Sequence, residues 1–314
     1  MARIPFRYLS LLVSVAFLVI GNGLQQTLIG LRAGIEGYAD ETIGAMMSVY
    51  FVGFVVASIH APRVIQAVGH IRSFAAFASA ASAFAICFAI FVSPPVWIVL
   101  RVLQGACWAG LIIVVESWLN ASAERSWRGR VLAIYSIVMY AAWAVSQPMV
   151  ALAPVSDFVL FALVSICLSL ALVPITLSRA GDPGVVLATR FGLARLFAIS
   201  PTALAGAFVL GAAVAAFFGM APVVSQQVGF TDAQTGTIVS AALIGALAFQ
   251  WPLGWLSDTV DRRLIVLASS VAGVVAALLL AAALSLRVII CRSSWSRFCW
   301  AEPCCRSTRF VWRR

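Results

Sequence analysis

Arg101 and Gln104 stand three residues apart inside a long apolar stretch, and Gly105 follows them. Three residues is close to one helical turn, so the guanidinium and the carboxamide share a helix face. A charged side chain at membrane depth costs about 2.5–3.5 kcal/mol on insertion scales, so it is a candidate for coupling or binding wherever it occurs. The alternative is an arginine about one turn inside the membrane edge that snorkels to the headgroups. Glu116 lies near the other end of the same stretch, with Trp118 beyond it. Its candidate partners are Arg63 and Arg72, in and beside the loop at that end; the alternative is again interfacial snorkelling.

Neutral polar groups form two further stripes. Ser14, Leu18, Asn22 and Gln25 follow helical spacings, as do Ser136, Tyr140, Trp143 and Gln147. Polar stripes facing lipid would be costly, so both are expected to face the interior. There Asn22, Gln25, Tyr140, Trp143 and Gln147 can line a cavity, or they can bond helix to helix. Such groups favour a neutral or amphipathic small molecule. No titratable residue stands at the middle of an apolar segment, so nothing here supports proton coupling.

Other chemistries find no foothold. The chain has two histidines, His60 and His70, and no Ser/His/Asp arrangement or phosphate loop. Cys87, Cys107 and Cys167 sit singly in apolar stretches, where a free cysteine is a small core residue. Cys291, Cys299, Cys304 and Cys305 have no histidine nearby and no Cys-x-x-Cys pairing, which argues against zinc. An enzyme is not expected, and no cofactor or metal is implied.

These residues must be held by helices in a membrane. Hydrophobic residues make up 63% of the chain and charged ones 10%, against about 25% charged in soluble domains. Nine apolar segments reach the length of about 20 residues that a span requires: 8–30, 42–61, 72–93, 96–119, 130–153, 157–178, 201–223, 232–255 and 263–286. The fold expected is an all-α membrane bundle. Residues 1–178 form a six-helix N-terminal half, 179–200 a cytoplasmic linker, and 201–286 three helices of a C-terminal half. Arg3 and Arg7 before the first run resemble a signal peptide, but no small-x-small site follows, so a first transmembrane helix is expected.

A repeat relates the two halves. Gly37-Tyr38-Ala39-Asp40-Glu41-Thr42-Ile43-Gly44 returns 192 residues later as Gly229-Phe230-Thr231-Asp232-Ala233-Gln234-Thr235-Gly236. Ser48 then falls on Ser240, Gly53 on Gly245 and Gly69 on Asp261. A parallel repeat in an apolar chain marks a two-halved transporter. The arginines collect on one side of the bundle, which makes that side and the N-terminus cytoplasmic.

Residues 287–314 break the pattern. Seven of the 21 arginines lie there, with Glu302 as the offsetting acid, so the tail carries most of the formal charge of +10. That distribution argues against nucleic-acid binding. A shift of 192 places a fourth helix at 288–311, a window too rich in arginine to span a bilayer. The expectation is that this tail is out of the native reading frame. The strongest rival to a working transporter is then that the chain as written transports nothing, as a truncated fragment, a pseudogene product or a degraded one. A basic tail that binds acidic lipid is the alternative.

Loop motifs refine the class. Gly254, Leu256, Asp258, Arg262 and Arg263 follow the spacing of the signature Gly-x-Leu-x-Asp-Arg-x-Gly-Arg-Arg, with Thr259 and Asp261 departing from it. The first-half copy keeps Gly69 and Arg72 but has Gln66 at the aspartate position. On these motifs, and on Arg101-Val102-Leu103-Gln104-Gly105, the chain resembles the major facilitator superfamily. Val49-Tyr50-Phe51-Val52-Gly53, Val114-Val115-Glu116-Ser117, Arg128-Gly129-Arg130-Val131 and Gln250-Trp251-Pro252-Leu253-Gly254 resemble its YcaD-like branch. Helix five keeps only Pro148 of the pattern carried by proton-driven drug antiporters of the superfamily.

The resemblance implies a twelve-helix inner-membrane secondary transporter that works by alternating access. It assigns switch or coupling roles to Arg101, Gln104, Glu116, Gly69, Arg72, Gly254, Asp258, Arg262 and Arg263. The expected partners are a small-molecule substrate, with or without a coupling ion, and the lipid bilayer around a monomer. A membrane-embedded sensor or binding subunit is the remaining alternative.

Overall fold

The computed structural model describes residues 6–122, 128–177 and 197–294. Its helices are α1 (Phe6–Ile35), α2 (Asp40–Val68), α3 (His70–Ile90), α4 (Pro94–Ser122), α5 (Arg128–Ser146), α6 (Phe158–Leu170), α7 (Leu172–Thr176), α8 (Pro201–Gln227), α9 (Asp232–Thr259) and α10 (Arg262–Ser294). A 3-10 turn, Pro148–Leu152, continues α5, and α7 continues α6 after a break at Ala171. Among the described residues, nine spans are long and apolar enough to cross a membrane.

The expected spans are all present, with corrected edges. The α1, α2 and α4 helices run past residues 30, 61 and 119 because helical backbone continues into polar ends that an apolar count leaves out. The fifth span is not one α-helix to residue 153. Pro148 has no N–H for the ladder, so the α-helix stops at Ser146 and the tighter turn follows. The α10 helix reaches Ser294, beyond the expected end at 286. Most of the linker and residues 295–314 of the tail lie outside the described residues.

The repeat is visible in hydrogen bonds. At the end of α1, Gly37 N donates to Gly34 O and Tyr38 N to Ala33 O. At the end of α8, Gly229 N donates to Gln226 O and Phe230 N to Ser225 O. Both are Schellman caps, and every atom pair is offset by 192 residues. The capping glycines have φ of 72° and 84°, a left-handed conformation that a Cβ disfavours. The register persists where α2 and α9 open at Asp40 and Asp232, and where α3 and α10 open at His70 and Arg262.

Gly37 also offers a clean test of that cap. A Cβ there meets nothing within 4 Å, so Gly37→Ala pays only the backbone penalty of about 1–2 kcal/mol. Gly44, equally open and in ordinary helical backbone, is the control. Thermal unfolding in detergent should be lowered by Gly37→Ala and not by Gly44→Ala.

Packing centres on α1, whose membrane window is 67% buried, against 11% for α8 and none for α10. It lies against α5 and α6 of its own half and against α8 of the other. The tightest contact joins α2 and α4. A Cβ on Gly53 would collide with the carbonyl oxygen of Val102, and one on Gly105 with that of Tyr50. Small residues that let two backbones touch are how helices associate where lipid supplies no hydrophobic drive.

Candidate functional site

Arg101 is carried inward by this contact. Its side chain is 1% exposed. Nε donates to Met46 O at 3.2 Å and Nη2 donates to Gln26 Oε1 at 2.9 Å, while Met47 Sδ lies 3.5 Å from Nη2. The guanidinium carbon sits 4.4 Å from the centroid of the Tyr50 ring, a cation–π distance. One turn on, Gln104 Nε2 donates to Gln25 Oε1 at 2.5 Å. The spacing of Arg101 and Gln104 thus ties α4 to α1 at two levels.

Beside Arg101 lies a cavity of about 150 Å³. The first half contributes Asn22 and Gln26 from α1, Met47, Tyr50, Phe51 and Phe54 from α2, Arg101 and Trp108 from α4, and Trp143 from α5. The second half contributes Val214, Ala215, Phe218 and Gly219 from α8. Trp143 stacks on Phe218 with centroids 4.6 Å apart, closing one wall across the two halves. Tyr50 donates from its hydroxyl to Asn22 Oδ1 at 3.5 Å.

The five expected cavity residues divide. Asn22 and Trp143 line the cavity; Gln25, Gln147 and Tyr140 do not. Gln147 Oε1 accepts from Thr27 Oγ1 at 2.6 Å, and its Nε2 donates to Gly23 O at 3.4 Å and to Ser146 Oγ at 3.0 Å. Gln147 and Gln25 are therefore bonds between helices, and Tyr140 sits half-buried away from the cavity. Gln26 was missed, although it lies four residues after Asn22 and so continues that stripe. Tyr50 and Phe218 carried no polar signal, since aromatic residues in apolar helices are ordinary packing.

The remaining switch candidates sit at helix ends. Gly69, with φ of 85°, is the single residue between α2 and α3, and Arg72 is exposed in the first turn of α3. Glu116 does not pair with Arg63 or Arg72; the Tyr135 hydroxyl donates to its Oε1 at 3.5 Å. The packing brings α5, not the arginines, to that carboxylate. Gly254 and Asp258 fall in the last turns of α9, and Arg262 and Arg263 in the first turn of α10. The side chains of Asp258 and Arg262 lie outside the described residues. Asp261 Oδ1 accepts from Arg263 N at 2.9 Å and so caps α10. The departure from glycine at this position in the loop signature thus has a local function.

Polar contacts between the halves gather at the end that carries Gly37 and Gly229. Gln226 Nε2 donates to Leu31 O at 3.1 Å, and Gln227 Nε2 to Asp40 Oδ2 at 3.0 Å. Ser240 Oγ donates to Ala144 O at 3.0 Å. Arg32 braces the same end, pairing with Glu36 at 2.7 Å and donating to the carbonyls of Val155 and Ser156.

Comparison with known proteins agrees with this architecture. The family model described as Major Facilitator Superfamily matches residues 9–296. An uncharacterized MFS-type transporter of Enterobacter sp. (strain 638) is 26% identical over 269 residues, covering 82% of this chain and 68% of that protein. The uncharacterized MFS-type transporter YcaD of Escherichia coli (strain K12 / DH10B) is 25% identical over 263 residues, covering 81% of this chain and 67% of its own. Among solved structures, the nucleoside transporter NupG superposes with a TM-score of 0.64 at 13% identity, over 82% of this chain and 68% of that one. A bacterial homolog of the human lysosomal transporter Spinster, solved inward-facing and unoccupied, gives 0.65 at 15% identity, over 83% of this chain and 64% of that one. At such identities the structural likeness concerns the fold.

Proposed function

Because this chain belongs to the major facilitator superfamily, a family of membrane transporters, we propose that it carries a small molecule across the inner membrane by alternating access, with the cavity beside Arg101 as its substrate chamber. One observation carries this reading: the chamber has polar arms from the first half and an aromatic wall shared with the second. A site bounded by two bodies changes sides when the bodies rock about it. With the N-terminus in the cytoplasm, the contacts at Leu31, Asp40 and Ala144 lie toward the outer face, and the conformation is closed there. In this reading the corners at Gly69–Arg72 and Gly254–Arg263 are the inner gate, and Glu116 responds to its movement. The chain works as a monomer in lipid.

Counterflow into proteoliposomes tests the chamber, beginning with a panel that includes nucleosides, the cargo named for NupG. Trp143→Ala removes the ring that stacks on Phe218 and should lower flux about tenfold, in line with the loss of an aromatic pair and its buried area. Wild-type flux in that variant would place the substrate elsewhere. A second reading, binding without carriage, is favoured by the Arg263–Ala283 span, none of whose window is buried among the described residues. Saturable binding with no flux of any bound compound would select it.

A further inference from the structure

We infer that the chamber is built for a small monocarboxylate with a flat apolar body about the size of benzene, held by Arg101. The inference rests on the chamber proposed above and gives it a substrate class. A guanidinium has five N–H donors. Nε and Nη2 are engaged by Met46 O, Gln26 Oε1 and Met47 Sδ, whereas Nη1 meets no acceptor among the described residues. Among the described residues every partner of Arg101 is neutral: a backbone carbonyl, an amide, a thioether and the face of Tyr50. The ion pair found among the described residues is Arg32–Glu36, which begins six residues beyond Gln26 on α1 and does not include Arg101. A buried cation without an anion is costly, and the group that relieves it must come through the cavity that Arg101 lines.

The rest of the chamber suits the body of such an anion. Asn22 lines it with Oδ1 taken by the Tyr50 hydroxyl, which leaves Nδ2 to donate to a second carboxylate oxygen. The rings of Tyr50, Trp108, Trp143 and Phe218 line the remaining space. A dry cavity of roughly 150 Å³ accepts benzene, and this one has that volume. This inference departs from the neutral substrate that the two polar stripes favour, because those stripes did not include Arg101.

Equilibrium binding of radiolabelled benzoate and of benzamide, its neutral isostere, to the purified full chain tests this at pH 7. Wild type should bind benzoate about tenfold or more tighter than benzamide, since an ion pair with the buried guanidinium replaces a hydrogen bond from it to a neutral oxygen. Arg101→Gln should erase that preference, and Arg101→Lys should keep it at lower affinity. Equal binding of the two probes by wild type, an intact preference in Arg101→Gln, or binding of neither probe would overturn the inference. Should Arg101→Gln fail to fold, Asn22→Ala decides: weaker benzoate binding supports the site, and unchanged binding overturns it. Flux measured on the same preparations separates the two ideas. Benzoate bound but not carried defeats the transporter reading and leaves this one; benzamide bound and carried as well as benzoate does the reverse.

Discussion

Gly105→Val should prevent the chain from accumulating as a folded, monodisperse protein, and Gly53→Val should do the same. At each position the new Cβ would meet the backbone of the partner helix: Val102 for Gly53, Tyr50 and Phe54 for Gly105. A long side chain could swing away from such a clash, but a carbonyl oxygen inside a helix cannot. The helices would have to separate, withdrawing Arg101 from Met46 and Tyr50 at the same time. Over-packing penalties run to about 3 kcal/mol, and this contact belongs at the upper end. Fluorescence-detected size exclusion after mild heating measures the effect. Retention of a wild-type melting profile by both variants would show that the α2–α4 contact is looser than described. Gly44→Ala, on the same helix but in open space, should be tolerated.

Gly236→Val should instead spare folding and bias the conformation. A Cβ at Gly236 would approach Gln147 O to 2.5 Å, where α9 meets the end of α5. Ser240, one turn later on the same face, donates to Ala144 O. The substitution therefore wedges apart the contact that joins the halves at the end carrying Gly37 and Gly229, the outer face in the orientation proposed above. In the proposed alternating-access cycle the strain falls on one conformation only, because the wedge has no partner once the halves part. A differential of about 1–3 kcal/mol shifts a two-state ratio by roughly 5- to 150-fold. Maleimide labelling of Asn22→Cys from outside, in a background without the native cysteines, reads that ratio. The rate should rise about tenfold with Gly236→Val. An unchanged rate would argue against the outer contact as a closing surface.

Asp261 illustrates what a motif can and cannot convey. The spacing of Gly254, Asp258 and the two arginines read as a loop between helices; the backbone narrows that loop to Val260 and Asp261, with Gly254 and Asp258 still in α9 and both arginines already in α10. That Asp261 caps α10 where Gly69 turns the corner before α3 is a second solution to one local problem. Pro148 carried its own signal too, since a missing N–H interrupts the helical ladder, although α2, α8 and α9 run through Pro62, Pro222 and Pro252. Glu116 shows the opposite case: its neighbour depends on how α4 and α5 pack, and Tyr135 was not predictable from spacing.

The amino-acid sequence by itself determined the spans, the repeat and its register. Span length follows from apolar composition, and the caps at Gly37 and Gly229 follow from residues within one helical turn. Those are local rules, and both halves obey them at the same offset. Only the tertiary structure decided which polar residues meet the cavity. Gln25 and Gln26 are adjacent in the chain but about 100° apart around α1. One bonds to Gln104 and the other to Arg101 at the chamber. That division is set by how α1 is rotated against α2, α4 and α8, and rotation is fixed by contacts such as Gly53 against Val102 that lie far apart in the chain. Arg101 was recognisable as a buried cation from its setting. That it faces the cavity without an anion among the described residues required all of those helices to be in place.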